Sequence, residues 1–576
     1  MIIPEKTMYR TISLIIFQFL MLYSIGQDGI DFHPPLKIPM YLSGNFGEIR
    51  SDHFHSGIDI KTQGTEGHQV FSVEKGYVSR IKVQANGYGK SIYISHPNGY
   101  TSVYGHLNRY RDDIADYVER MQYRKKSHTL DLYLDKETFQ LEKGELIAFS
   151  GNTGGSSGPH LHFEIRTTSN QHPTNVLQYN FNIKDNVSPR FLSLFLYPLD
   201  KTSHINGNAE RFVSKLVRDG DIYTIPYGTT VNGSGSIGIS VEVFDYLDGA
   251  YNRCGIYSLE MYVDNRLSYS HVMDEFSFAE TRYINAHIDY AERIRSSTKA
   301  HRLHRLPNDR LRIYKSSAGN KALQIDEVRS YPVRIIATDV AGNSAVMEFT
   351  LKGIVPVITD PFEDEGANTH MKYDRQNSFE DGPVDVNIPP NALYRDIDFN
   401  FRSSPPAGGS LSPFYHIGNR EVPVHKPYTL SIKSPGVDPA LHSKLLLISR
   451  NGENETESAG GDYRDGAVVA RLRTFGEFAI ALDTVAPVIT PLGNSGGDLS
   501  GKKELRFSIK DDLSGIDTYE GYIDNQWVLF EYDPKNELLF YRFDEKRIMK
   551  DTIHELELYV SDSKGNANLY RNTFSW

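Results

Sequence analysis

The chain has 576 residues, 39% of them hydrophobic, with 36 Tyr, 29 Phe and 46 Gly. Single cores stop growing at roughly 250–300 residues, so three or four domains are expected. A formal charge of −11 opposes nonspecific attraction to nucleic acid or anionic lipid, and neither is expected as a partner.

Lys6 and Arg10 precede an apolar run, Ile12 to Ile25, with the small residues Ser24 and Gly26 at its end. That pattern predicts a secretory signal peptide over residues 1–26. The run is shorter than the ~20 apolar residues of a bilayer span, so no membrane span is expected after cleavage. The destination is then the periplasm, the cell surface or the exterior. The single cysteine, Cys254, rules out an intramolecular disulfide and a lipidated cysteine behind the signal; it is expected to be a small buried apolar residue.

Residues 28–182, a series of short strands and glycine turns, form the expected first domain. Within it His55-Ser56-Gly57-Ile58-Asp59 sets an imidazole and a carboxylate four residues apart around a glycine. After His106, the helical spacing of Ile114, Tyr117, Val118 and Met121 and the alternation of Leu130, Leu132 and Leu134 mark an inserted segment. It is either a wall beside a substrate groove or a peripheral elaboration. In His160-Leu161-His162-Phe163-Glu164-Ile165-Arg166, strict alternation predicts a strand with Leu161, Phe163 and Ile165 in a core and His160, His162 and Glu164 on the other face. Such a face is either half-exposed with two solvated histidines or the wall of a metal or substrate site. The glycine run Gly151 to Gly158 lacks a Lys-Ser/Thr ending and reads as a loop lining a groove rather than a phosphate cradle. His55, Asp59 and His162 together supply two imidazoles and one carboxylate, a ligand number that leaves zinc an open position, as in catalytic sites.

These motifs in order resemble the lysostaphin-like (LytM-type) zinc metalloendopeptidases: His-x-x-x-Asp, then Tyr104-Gly105-His106-Leu107, then His-x-His. Phe46-Gly47-Glu48-Ile49-Arg50, Gly76-Tyr77-Val78, Gly87-Tyr88-Gly89 and Glu142-Lys143-Gly144-Glu145 extend the likeness over residues 40 to 178. The resemblance implies zinc held by His55, Asp59 and His162, with His106 and His160 as catalytic residues that do not bind the metal. It further implies peptidoglycan as substrate, attacked by water that the metal activates. Glu164 is either a partner of a ligand or a surface carboxylate. His53 sits out of register with the motif. His68, His96, His128 and His172 have no partners in motif and are expected at the surface.

Beyond 182 the chain is mainly β and repeats itself. Asp185-Asn186-Val187-Ser188-Pro189 is echoed by Asp483-Thr484-Val485-Ala486-Pro487, and Asp339-Val340-Ala341-Gly342-Asn343 by Asp562-Ser563-Lys564-Gly565-Asn566. A related Val355-Pro356-Val357-Ile358 lies between. The reading is an Ig-like module over 183–354 carrying an amphipathic helical decoration at 277–305, a β module of uncertain type over 355–484, and a second Ig-like module over 485–576. The paired Asp residues, Asp339 and Asp511-Asp512, read as polar turns more readily than as calcium sites. His554-Glu555 lacks the second histidine of a zincin helix and sits in strand-like alternation. The β modules are expected to meet peptidoglycan or cell-envelope proteins. The competing function is a noncatalytic scaffold or regulator of another wall hydrolase; a glycosidase would need a carboxylate pair that does not stand out.

Overall fold

The computed structural model describes residues 30–315, 318–355, 369–451 and 455–576. The segment read as a signal peptide, 1–26, lies outside them, as does all but Val355 of the Val355–Ile358 motif. No helix among the described residues is long and apolar enough to cross a membrane.

The architecture is mainly β. In the first domain, β1 (Leu42–Gly44), β2 (Ile58–Lys61), β3 (Gly76–Val83), β4 (Lys90–Ser95), β5 (Tyr100–Gly105), β6 (Leu130–Tyr133) and β7 (His160–Thr167) form the main path of a nine-stranded sheet, in the order β1-β2-β7-β5-β4-β3-β6. Helix α1 (Asp112–Lys125) lies between β5 and β6. The β7 alternation holds: Leu161, Phe163 and Ile165 are fully buried together with Ile58, Ile60, Ile92 and Ile94. The polar face of β7 is not solvated, however, since His162 is 3% exposed and Glu164 0%.

The module that follows contains β8 (Val231–Phe244), β9 (Arg266–Val272), α2 (Ile284–His287), α3 (Tyr290–Ser296), β10 (Ala300–Arg302), β11 (Ser330–Thr338) and β12 (Ser344–Gly353). Hairpin β11–β12 turns through Asp339–Asn343, and its counterpart in the last module, β13 (Ile553–Asp562) and β14 (Ala567–Ser575), turns through Asp562–Asn566. In both turns the Asn amide N–H donates to the Asp carboxylate and the Asn side chain donates to the carbonyl of the module's first Asp, Asp185 or Asp483. The repeated residues therefore pin the start of each module to its hairpin. Three carboxylates meet at each start: Asp185, Asp245 and Asp339 in one, Asp483, Asp511 and Asp562 in the other. The middle module is built on two five-stranded sheets and the last on sheets of four and five strands, each pair sharing a core.

The seam after the first domain is densely packed. Phe46, Ile49 and Phe54 belong to the core of the module that follows, while Leu247 and Cys254 of that module are buried in the core of the first domain. The last module also returns to the first domain, where Tyr123 of α1 packs edge-on against Trp527 and under Arg547. This changes the reading of both insertions. The segment after His106 forms a helix and an edge strand, as its spacing predicts, but it carries the last module instead of walling a groove. The 277–305 segment is a turn, two short helices and the short strand β10, not one helix, and it stands beside the candidate site described next.

Candidate metal centre

Antiparallel register assembles the site. His162 of β7 lies directly opposite Asp59 of β2 on one side and Gly105 of β5 on the other, and the residue after Gly105 is His106. Directly opposed residues hold their Cβ atoms roughly 4.5–5.5 Å apart, within reach of a common ion. Gly57 lets the His55 loop approach this closely, since a Cβ there would stand 2.2 Å from the carbonyl oxygen of Phe163.

The three predicted ligands converge. His55 Nε2 and His162 Nδ1 are 3.1 Å apart, and Asp59 Oδ1 lies 2.9 Å from His162 Nδ1 and 3.1 Å from His55 Nε2. Every outward-facing donor atom is already occupied. His55 Nδ1 donates to the Asn45 carbonyl at 2.7 Å, His162 Nε2 donates to Glu164 Oε1 at 2.8 Å, and Arg50 Nη2 donates to Asp59 Oδ2 at 2.8 Å. The two imidazole protons are thereby placed on the far nitrogens, leaving lone pairs on His55 Nε2 and His162 Nδ1 aimed at one point. This donor set fits a divalent metal ion, with Glu164 as the partner that orients His162. The surface reading of Glu164 is overturned.

Electrostatics agree with that fit. Burial pushes the Asp59 carboxyl up, but the imidazoles of His55, His160 and His162 outweigh it and hold the group well below the usual carboxylate range. Burial likewise disfavours charge on His162, yet Asp59 and Glu164 on either side raise it to about 9. Glu164 is raised by burial and drawn well below its ordinary value by Arg166, whose Nε donates to it at 2.6 Å, and by His162.

His106 and His160 stand beside the three predicted ligands, with their own ring centroids 4.7 Å apart. His106 Nδ1 donates to the Thr153 carbonyl at 2.8 Å, and His160 Nδ1 to the Gly158 carbonyl at 2.8 Å, so both present Nε2 on the open side. His160 Nε2 is 3.4 Å from Asp59 Oδ1. Burial, with help from the His162 and His160 rings, lowers His106 to about 3, so it is neutral at physiological pH. The Gly151–Gly158 loop that positions both rings is seated on the Gly87–Gly89 turn, where Gly154 leaves no room for a side chain. Ser156, Ser157 and Gly158 line the groove as expected, joined by Tyr88 and, from the next module, Phe278 and Thr281.

Other histidines sort differently. His53 is exposed, bonds Asp52 and lines the same groove, but does not join the converging donor group. His96 and His128, expected at the surface, are buried; His96 bonds the Lys75 carbonyl and Ser102. His554 lies on strand β13 and bonds Asp524. Sequence reasoning assigned no role to Asn45, Arg50, Ser56, Tyr88 or Arg166. Four of these lie inside motifs already singled out, Arg50 at the end of Phe46–Arg50, Ser56 between His55 and Asp59, Tyr88 between glycines and Arg166 at the end of His160–Arg166, so proximity in motif was the available signal.

Residues 53–123 and 119–176 match the model of peptidase family M23, and residues 368–483 match that of a Zu5-like domain. Among curated proteins, an uncharacterized metalloprotease of Haemophilus influenzae is 33% identical over 119 residues, covering 21% of this chain and 19% of that protein. The DD-carboxypeptidase/endopeptidase Mpg of Neisseria meningitidis is 30% identical over 112 residues, 19% of this chain and 20% of its own. The murein hydrolase activator NlpD of Salmonella typhimurium is 32% identical over 122 residues, 21% and 25% respectively. The matches therefore span a quarter or less of each relative's length. Among solved structures, the catalytic domain of the prophage-encoded M23 protein EnpA from Enterococcus faecalis aligns at 23% identity and a TM-score of 0.20, covering 26% of this chain and 98% of that one.

Proposed function

We propose that this chain, whose residues 53–176 carry a peptidase family M23 domain, is an exported zinc metalloendopeptidase that hydrolyses peptide bonds of bacterial peptidoglycan, in a cross-bridge or a stem peptide. The observation that carries this reading is the complete donor set: His55, Asp59 and His162 with lone pairs on one point and every outer atom held by Asn45, Arg50 or Glu164. Zinc bound there supplies Lewis acidity at a peptide carbonyl and makes water acidic enough to attack near neutral pH. His106, neutral, and His160, both anchored through Nδ1, present Nε2 to accept the proton of the attacking water and return it to the leaving amine, or to steady the carbonyl oxygen as it gains charge. Tyr88, Phe278 and Thr281 shape the channel for an extended peptide. The β modules, of which 183–354 and 485–576 read as Ig-like, hold the peptidase domain at the wall or within an envelope assembly.

The likeness to a protein named as a murein hydrolase activator favours one other reading, a noncatalytic wall-bound regulator. Incubation of the 28–576 chain with purified peptidoglycan, with and without chelator, followed by mass analysis, separates the two. New peptide termini that vanish with chelator support hydrolysis. Binding without released peptides from several wall chemotypes makes the chain a regulator.

A further inference from the structure

The module after the peptidase domain holds a second convergence of imidazoles. His271 on β9, His287 at the end of α2 and His301 on β10 are buried, at 0, 0 and 3% exposure. One ring nitrogen from each lies within 4.8 Å of the others. His287 Nε2 and His301 Nδ1 are 3.0 Å apart, close to the 3.1 Å that separates the two ligating nitrogens of His55 and His162. Ring centroids stand 4.8, 5.2 and 5.5 Å apart.

The far side of two rings is held in the manner of metal ligands. The Tyr314 hydroxyl donates to Asp309 Oδ2 at 2.5 Å, so toward His287 Nδ1, 3.1 Å away, it acts as acceptor. The proton of His287 is therefore on Nδ1 and its lone pair on Nε2. His271 Nδ1 is 3.0 Å from the Tyr269 hydroxyl, and its Nε2 is buried with no hydrogen-bond partner. A buried imidazole nitrogen without a partner is costly in a packed core, and nothing in the apolar packing around it offsets that cost. An ion shared among the three rings removes it.

We propose that His271, His287 and His301 form a second metal site, taking a divalent transition metal that favours imidazole, zinc foremost, through His271 Nε2, His287 Nε2 and His301 Nδ1. The described His, Cys, Asp and Glu residues add no fourth ligand. The site is buried and distinct from the peptidase groove, so its work is to position. Phe54 packs on the His287 ring at 5.6 Å, and the Phe54 amide N–H donates to Thr281 Oγ1 at 2.9 Å. Phe54 immediately precedes the ligand His55, and Thr281 leads through a turn into α2. A metal here staples β9, α2 and β10 together behind the loop that carries the first ligand of the peptidase site and behind the groove residues Phe278 and Thr281.

The test counts zinc in the 28–576 chain after stripping, reloading and dialysis. About two ions per chain are expected for the unaltered protein. The double variant His55→Ala, His162→Ala should keep about one, and its melting temperature should still drop with chelator. The double variant His271→Gln, His301→Gln should also keep about one. If that variant fails to fold, cobalt loaded into His55→Ala, His162→Ala should still give the visible absorption of an imidazole-bound ion. An ion count unchanged in the folded His271→Gln, His301→Gln variant, or none left in the folded His55→Ala, His162→Ala variant, overturns the second site. Loss of ions from the His271 and His301 variant alone, with His55 and His162 without effect, would instead count against the peptidase site.

Discussion

Lys90 Nζ of strand β4 lies 2.7 Å from Glu531 Oε2 of the last module, joining two parts of the chain more than 400 residues apart. Burial works against charge on Glu531, but Lys90, Arg542 and His128 lower it to about 2. A carboxyl held below its ordinary value stabilises the fold above that value, and the contribution disappears as pH falls from roughly 4.5 toward 2. Glu531→Gln should cost on the order of 3 kcal/mol, the lower end for a buried pair because both side chains keep some exposure, by leaving the Lys90 ammonium unmatched. Denaturant melts at pH 7 and pH 3 check this: the difference between variant and parent should be full at the first and clearly smaller at the second, where the folded carboxyl begins to take up its proton.

Removing a ligand should remove metal from the peptidase site. His55→Ala and Asp59→Ala should each lower zinc content by about one ion per chain, whereas His53→Ala should not, because His53 bonds Asp52 and is not among the three converging donors. Full retention of zinc by both ligand variants would sink the assignment.

His106→Ala and His160→Ala should keep zinc and fold, since all three ligands remain, and should lower peptide release by roughly 10²–10⁴. Peptidoglycan binding should persist. Unchanged cleavage rates in both would show that neither ring handles protons or oxyanion charge.

Phe46, Ile49 and Phe54 complete the core of the module that follows the peptidase domain. A fragment ending near residue 182 exposes them, at roughly 1.5–3 kcal/mol of lost burial for each side chain. It should aggregate or melt early, while a fragment ending near 354 should be soluble and cooperative. A stable, active 28–182 fragment would contradict this.

Asp245 is raised to about 8 by burial and by the neighbouring carboxylates of Asp185 and Asp339. A carboxyl whose folded value exceeds its unfolded one is held protonated by the fold, so stability falls as pH rises from about 4 to about 8. In metal-free buffer Asp245→Asn should raise the melting temperature at pH 8 and change it little at pH 4. An equal shift at both pH values would point to packing instead of charge.

Much of the candidate site was legible in the sequence because its signals are local. The four-residue spacing of His55 and Asp59, the period-two alternation around His162 and the repeated Asp-x-x-Gly-Asn turns depend only on backbone geometry, which a short window of chain determines. What the alternation could not decide was whether the polar face of β7 met water or protein, because burial is set by what distant segments lay over it. Glu164 became an orienting partner, and His96 and His128 became core residues, only once the sheet and the last module closed over them. The two insertions show the same limit. Their helical and strand patterns were readable, but which one faced the groove followed from docking across seams hundreds of residues apart in sequence. Likewise the imidazoles of His271, His287 and His301 share no motif spacing, since they come from a strand, a helix and a second strand. Long-range packing alone brings their nitrogens to one point, as no local backbone rule can.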